Sequence, residues 1–180
     1  MALAHAILVS LIERPATGYE LAQRFDRSIG YFWHATHQQI YRELARMEQD
    51  GWVSVEVVEH AGRLDKKVYT VRAAGRKALA AWLHEPSEPA GVREDLLVKL
   101  RAAAAVGDTT GLALEIRRHR ELHAQRLDLY REYEKRDFPK RARRDAAQTL
   151  QHLVLRSGIV YESAWLAWCD EALAALEDIE

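Results

Sequence analysis

The sequence predicts a mainly α protein, α+β in its first half and all-α in its second, on three observations. Apolar residues recur at helical spacing through most of the chain. One region, "WVSVEVVEH" followed by "KVYTVR", alternates instead at period two, which is the signature of strands. Near the middle, "HEPSEPAG" interrupts the helical pattern with two prolines, a serine and a glycine.

That break, His84 to Gly91, sets the expected boundary between one domain over 1–86 and a second over 87–180. The first half carries 11 Lys and Arg against 10 Asp and Glu, the second 15 against 17. With a formal net charge of -1, any polyanionic partner would have to be met by local patches. A hydrophobic fraction of 48% and a charged fraction of 29% are ordinary for a soluble globular chain. No apolar run approaches the roughly 20 residues that span a bilayer. The apolar start, "MALAHAILVSLIERP", lacks a basic leader and a small-residue cleavage site, so it is expected to be a helix of a cytoplasmic protein with no membrane partner. The single cysteine, Cys169, cannot form an internal disulfide and fits a small buried hydrophobe.

The first helix, about Ala2 to Glu13, places Leu3, Ile7 and Leu11 on one stripe with Leu8 and Ile12 beside it, so it wants partners on more than one side. A second helix opens at "TGYE", where Thr17 and Glu20 have capping-box spacing, and turns Leu21, Ala22 and Phe25 inward. The stretch "THQQIYRELARMEQDGWV" repeats the pattern. Thr36 and Gln39 form a second box, Ile40, Leu44 and Met47 make a narrow buried stripe, and Asp50 and Gly51 end the helix. At ~100° per residue, Gln38, Gln39, Arg42, Ala45, Arg46 and Gln49 fall opposite that stripe. Gln and Arg can make paired hydrogen bonds to adenine and guanine edges in the major groove, and Arg also neutralises phosphate. The plain alternative is a face that meets only water.

After this helix, Val53, Val55 and Val57 share one side of a strand, and Tyr69 and Val71 one side of the next. Between them "HAGRLDKK" carries Arg63, Lys66 and Lys67. Taken alone this is a solvated loop. Placed directly after a groove-shaped helix, a hairpin with a basic tip completes the layout of a winged helix-turn-helix, with the tip against backbone phosphates.

In the second half a helix runs from about Thr110 to Arg136, and the last from about Arg144 to Ile179, ~50 Å at 1.5 Å per residue. Within the last, Ala147, Leu150, Val154, Tyr161, Trp165, Trp168, Ala172 and Leu176 keep spacings of three and four, a coiled-coil-like seam. A segment of this size cannot bury such seams on itself. The expected domain is therefore all-α, antiparallel and coiled-coil-like, and it makes a homodimer. A two-fold dimer would offer two recognition helices to a palindromic operator in double-stranded DNA.

No phosphate-binding glycine loop, Gly-x-Ser-x-Gly elbow or zinc-type cysteine pair is found, so neither an enzyme nor a cofactor is expected. His119 and His123, at i and i+4, could share a metal ion, with His152 as the nearest third candidate. The expected reading is histidines hydrogen-bonded in a helical interface, with no metal. Tyr161, Trp165 and Trp168 are expected in a dimer core. The alternative is that they line, with Tyr130, a pocket for a small aromatic effector. Two rival functions follow from these features: a winged-helix protein-interaction module, and a metal-responsive sensor built on His119 and His123.

Three motifs, "TGYEL", "IYRELARMEQDGWV" and "KKVYTVRAAGRKAL", occur in the order found in the PadR family of bacterial transcriptional regulators, which the chain resembles. The resemblance is to its larger branch, with an AphA-like virulence-activator C-terminal region, here opening at "VREDLLVKLRAAAA" and closing around "RSGIVYESAWLAWCDEAL". It implies a DNA-binding winged helix followed by a helical dimerisation region. It also implies phosphate contacts from the hydroxyls of Tyr19 and Tyr41 and from the wing cations. The expected DNA-facing set is thus Tyr19, His37, Gln38, Gln39, Tyr41, Arg42, Arg46, Arg63, Lys66 and Lys67. The resemblance further implies that the first helix, through Leu3 and Ile7, packs on the C-terminal helices of the other subunit, beside Leu150, Val154, Tyr161, Trp165 and Trp168. Some PadR relatives respond to phenolic acids, so a repressor released by a small phenolic ligand is the implied mode of action. Two departures stand out. Gln39 and Arg42 flank the helix-three tyrosine where many members have a small residue and a proline. Arg72 replaces a common threonine and removes a capping hydroxyl.

Overall fold

The computed structural model describes residues 2–27, 35–58, 66–89, 91–139 and 143–178. The chain divides into two compact units, Met1–Pro89 and Ala90–Glu180. The fold is mainly helical with a small antiparallel sheet.

The first unit contains α1 (Ala2–Glu13), β1 (Ala16–Thr17), α2 (Gly18–Arg27), α3 (His37–Gln49), β2 (Val53–Val58), β3 (Lys66–Val71) and α4 (Ala73–Trp82). Its sheet has the order β1-β3-β2, with Ala16 and Val55 on either side of Tyr69, and Val53 opposite Val71. The periodicity does not predict β1, because a two-residue strand has no period to show. Its pairing with β3 is what makes it a strand.

Helix α1 lies at the centre of this unit, in contact with α2, α3, β3 and α4. Ile7, Leu8 and Leu11 meet Leu21 and Phe25 of α2, Ile40, Leu44 and Met47 of α3 and Val53 of β2, all essentially removed from water. Each such side chain contributes roughly 1.5–3 kcal/mol of transfer free energy. One expectation changes here. Ile7 is enclosed entirely by its own unit and has no surface left for another subunit, whereas Leu3 keeps part of its surface. Val57, on the same side of β2 as Val53 and Val55, is exposed, because the core beneath the hairpin ends at Val55 and Val57 pairs with Lys67 beyond it.

A left-handed Gly51 (φ 72°) closes α3, where the Trp52 N–H donates back to the Met47 carbonyl at 2.8 Å and the chain turns into β2. The Trp52 carbonyl in turn accepts the Arg72 N–H at 2.8 Å. Arg72 supplies no side-chain cap to α4, as its replacement of a hydroxyl residue implies. His5 of α1 is buried between aromatic rings, stacked on Trp82 with centroids 4.4 Å apart and tilted against Trp52 at 6.0 Å.

The second unit is α5 (Asp95–Val106), α6 (Leu112–Asp137) and α7 (Ala146–Glu177). Helix α7 starts at a capping box formed by Asp145 and Gln148 and, at 32 residues, is ~48 Å long. It runs antiparallel to α6, since Arg120 pairs with Asp170, His123 with Glu162 and Glu134 with His152. Gly158 lets the helices approach: a Cβ there would lie 2.9 Å from Cε2 of Tyr130, whose ring fills the space. A second core gathers Leu96, Ile116 and Cys169, with Trp165, Trp168, Ala172 and Leu176 packed around it. Burial pushes the Cys169 thiol up, in keeping with a packed hydrophobe.

The α7 seam is therefore split. Its C-terminal half, including Trp165 and Trp168, is partly covered by the chain's own α5 and α6, while Leu150, Leu153, Val154, Val160 and Tyr161 are 47–65% exposed. Among the described residues no helix is long and apolar enough to cross a membrane.

At Gly75 the first unit packs closely against backbone: a Cβ there would lie 2.5 Å from the Trp52 carbonyl oxygen and 3.0 Å from Leu8 Cδ2. Gly75→Ala is expected to destabilise the protein by about 1–3 kcal/mol in chemical denaturation. The same change at Gly91, which has open space around it, should stay within about 0.5 kcal/mol of the parent.

Candidate nucleic-acid interface

Two reciprocal caps set the starts of α2 and α3. Thr17 Oγ1 accepts the Glu20 N–H at 3.2 Å, and Glu20 Oε2 accepts the Thr17 N–H at 2.9 Å and its hydroxyl at 3.1 Å. At α3 the Thr36 hydroxyl accepts the Gln39 N–H at 3.2 Å, and Gln39 Oε1 accepts the Thr36 N–H at 2.8 Å and its hydroxyl at 3.2 Å. Each box satisfies amides that the first helical turn leaves unpaired.

With Ile40, Leu44 and Met47 buried, α3 turns His37, Gln38, Gln39, Arg42, Ala45, Arg46 and Gln49 to the surface. The two arginines differ. Arg46 is held along the helix by Glu43 at 3.0 Å and Asp50 at 3.8 Å. Arg42 makes no ion pair among the described residues and projects as a free cation.

Tyr41 is half-exposed, and its ring lies where a Cβ at position 18 would be, 2.3 Å from Cε1. Gly18 is thus required for room. Tyr19, 59% exposed, accepts a hydrogen bond from Gln23 Nε2 at 2.9 Å, which leaves its own phenolic proton to be donated outward. Sequence reasoning did not single out Gln23 or Gly18. The i, i+4 spacing of Tyr19 and Gln23 is the signal that could have found the first; the second, a contact between separate helices, leaves no local trace.

The wing adds Lys66 and Lys67, both exposed, at the start of β3. Arg63 lies outside the described residues. Pairing of Thr17 with Val68 brings the start of α2 beside the wing base, and Lys66 is close enough to help lower the Glu20 carboxyl, whose largest cause of depression is the Thr17 backbone hydrogen bond. Tyr19, Tyr41, the α3 surface and the wing base are thus assembled on neighbouring elements of one unit.

In the second unit His119 and His123, whose spacing would let them share a metal ion, are separately engaged. His123 is buried, with Nδ1 2.5 Å from Glu162 Oε2 and its ring stacked on Trp165 at 4.9 Å. His119 lies 3.7 Å from Glu115. His152, the third candidate, bridges Glu134 and Arg144, at 2.8 and 2.7 Å. Among the described residues no three His, Cys, Asp or Glu side chains come together as a metal site. The buried Glu162 is not legible beforehand, because its partner lies 39 residues away. Of the four rings considered for an effector, Tyr130 is packed on Gly158, Trp165 is stacked on His123, and Trp168 meets Trp165 edge-on at 5.1 Å. Tyr161 alone is largely exposed, edge-on to Trp165 at 6.5 Å. Burial, followed by the charge of Glu162, raises the Tyr130 hydroxyl above its ordinary value.

Comparison with known proteins places these features in a family. The model of the "Transcriptional regulator PadR-like family" matches residues 7–81, and that of the "Virulence activator alpha C-term" matches residues 92–177. The Mycobacterium tuberculosis protein named "Probable transcriptional regulator" is 47% identical, with 99% of each chain covered. The Vibrio cholerae virulence activator AphA, 36% identical, superposes over 99% of both chains with a TM-score of 0.79. The negative transcriptional regulator PadR of Bacillus subtilis is 27% identical over 97% of each chain. Its structure in complex with operator DNA, at 24% identity over 97% of each chain, has a TM-score of 0.83, and that with p-coumaric acid, at 21% over 97% of this chain and 95% of that one, 0.74.

The α2 cap is expected to be acid-sensitive. Glu20 has a folded-state pKa below the ordinary 4.5, so its contribution is complete above that value and is lost as pH falls through the lower, folded value. An NMR titration of the Glu20 carboxyl should show a midpoint below 4.5, and Glu20→Gln should remove this part of the acid dependence of stability.

Proposed function

The chain belongs to the PadR-like family of transcriptional regulators, and we propose that it is a homodimeric repressor that binds a palindromic operator in double-stranded DNA. The observation that carries this reading is the capped, outward face of α3, with Gln38, Gln39 and Arg42, which has no ion pair among the described residues, beside exposed Tyr19, Tyr41, Lys66 and Lys67. Amide and guanidinium groups there suit base edges, while the hydroxyls and wing lysines suit phosphates. The operator complex of B. subtilis PadR supports the same use of this fold, and that protein's role as a negative regulator supports repression. No catalytic role is part of this reading.

The second subunit is recruited by α7. Leu150, Leu153, Val154 and Val160 form an exposed apolar strip that a two-fold copy would cover, and Leu3 on the outer side of α1 remains available to such a contact. Dimerisation doubles the number of phosphates met in one binding event, so affinity should depend steeply on salt.

Binding of labelled duplex from upstream of the protein's own gene tests both statements by fluorescence anisotropy. Arg42→Ala with Arg46→Ala is expected to weaken binding at least ten-fold and to reduce the slope of log K against log salt by up to ~2 per subunit. Arg42 should account for the larger share, since Arg46 must first leave its two acidic partners. Unchanged affinity and slope would overturn the reading. Leu150→Asp with Val154→Asp should give a monomer by sedimentation and abolish tight operator binding.

A small aromatic acid is the proposed effector, received at the open side of Tyr161 next to Trp165. The p-coumaric acid complex of B. subtilis PadR and the exposed Tyr161 ring support this. Such a ligand acts only through unequal affinity for the free and DNA-bound forms. Titration of p-coumaric acid into the protein–DNA complex should release DNA, and Tyr161→Ala should abolish the response. Calorimetry with no heat of binding and no release would remove the effector from the account.

A further inference from the structure

We infer that Gln39 presents only hydrogen-bond donors to DNA, and that each half-site of the operator therefore carries a guanine where Gln39 meets it. The inference rests on the DNA-binding reading of α3.

A glutamine reads adenine by using both ends of its amide: the oxygen accepts from N6–H, and the nitrogen donates to N7. In this chain the oxygen is already committed. Gln39 Oε1 accepts the Thr36 backbone N–H at 2.8 Å and the Thr36 hydroxyl proton at 3.2 Å, and an amide oxygen has two lone pairs to offer. Thr36 Oγ1, for its part, accepts the Gln39 N–H at 3.2 Å while its proton goes to Oε1. The orientation of the amide follows from chemistry alone. A backbone N–H can only donate, so the end of Gln39 facing it must be oxygen.

What remains is Nε2 with two N–H groups, on an exposed side chain in the same stripe as Arg42 and Arg46. Two donors on one nitrogen match the adjacent acceptors O6 and N7 of guanine. Against adenine, one of them would face the N6 amino group, donor against donor. For Gln39 to select adenine, the capping box would have to open and leave the Thr36 N–H without a partner in the contact. The same residue thus starts the helix and limits which base edge the helix can accept.

The test is selection of binding sites from a random duplex pool with the full-length protein, comparing the parent with Gln39→Ala and Thr36→Pro. The parent should enrich a guanine in each half-site, at roughly ten-fold or more over adenine. Gln39→Ala should lose that preference and keep the others. Replacing this guanine with 7-deazaguanine should weaken the parent several-fold and leave Gln39→Ala unaffected. Thr36 has φ -74°, which proline accepts, and Thr36→Pro removes both donors to Oε1. That variant should shift the preference toward adenine. If it melts too early to be selected, the Gln39→Ala and 7-deazaguanine arms still decide. The inference is overturned by a Gln39-dependent adenine in the parent's sites, or by identical preferences of parent and Gln39→Ala. Failure of the parent to enrich any sequence instead defeats the DNA-binding reading, and this inference falls with it.

Discussion

The rotation of α3 about its own axis is the constraint from which the rest of the interface follows. Ile40, Leu44 and Met47 are wholly enclosed, and the first of them sits one residue after the Thr36–Gln39 cap. The buried stripe fixes the rotation of the helix, and the cap fixes the residue at which it starts. Rolling by one residue would expose apolar surface and bury polar side chains in its place. Gln38, Gln39, Arg42 and Arg46 therefore face outward by default, and Tyr41 reaches Gly18 without adjusting anything else.

The second unit solves a different problem with polar groups. His123 and Glu162 are both buried and would be costly apart, so each requires the other across the α6–α7 contact. A pair of this kind specifies which residues of two long helices meet, which apolar contacts alone do loosely. Together with the close approach at Gly158 and the outer pairs Arg120–Asp170 and Glu134–His152, it sets the register of the hairpin. The apolar strip of α7 stays on the outside of that hairpin as a result.

Much of this was legible in the sequence where the signal is local. Capping spacing located the starts of α2 and α3, the three- and four-residue stripe identified the inner side of α3, and period two identified β2 and β3. The failures have physical causes as well. Two-residue β1 exists only through its partner. The family resemblance implies that Ile7 meets another subunit, whereas its own unit encloses it entirely. The α7 seam reads as continuous because spacing cannot say that α5 and α6 cover one half of it and not the other. Gln39 reads from the sequence both as cap and as base contact, and spacing does not reveal that its oxygen is taken up by Thr36.

The shortest element has a mechanical consequence. Because Ala16 and Thr17 pair with β3, and β3 pairs with the wing strand β2, the chain leading into α2 is laced to the wing through a single middle strand. Flexing of the hairpin must pull on the start of α2, and with it on Gly18 and the tyrosine ring seated there. A load applied at the wing is thus passed through β3 to the hydroxyl-bearing start of α2.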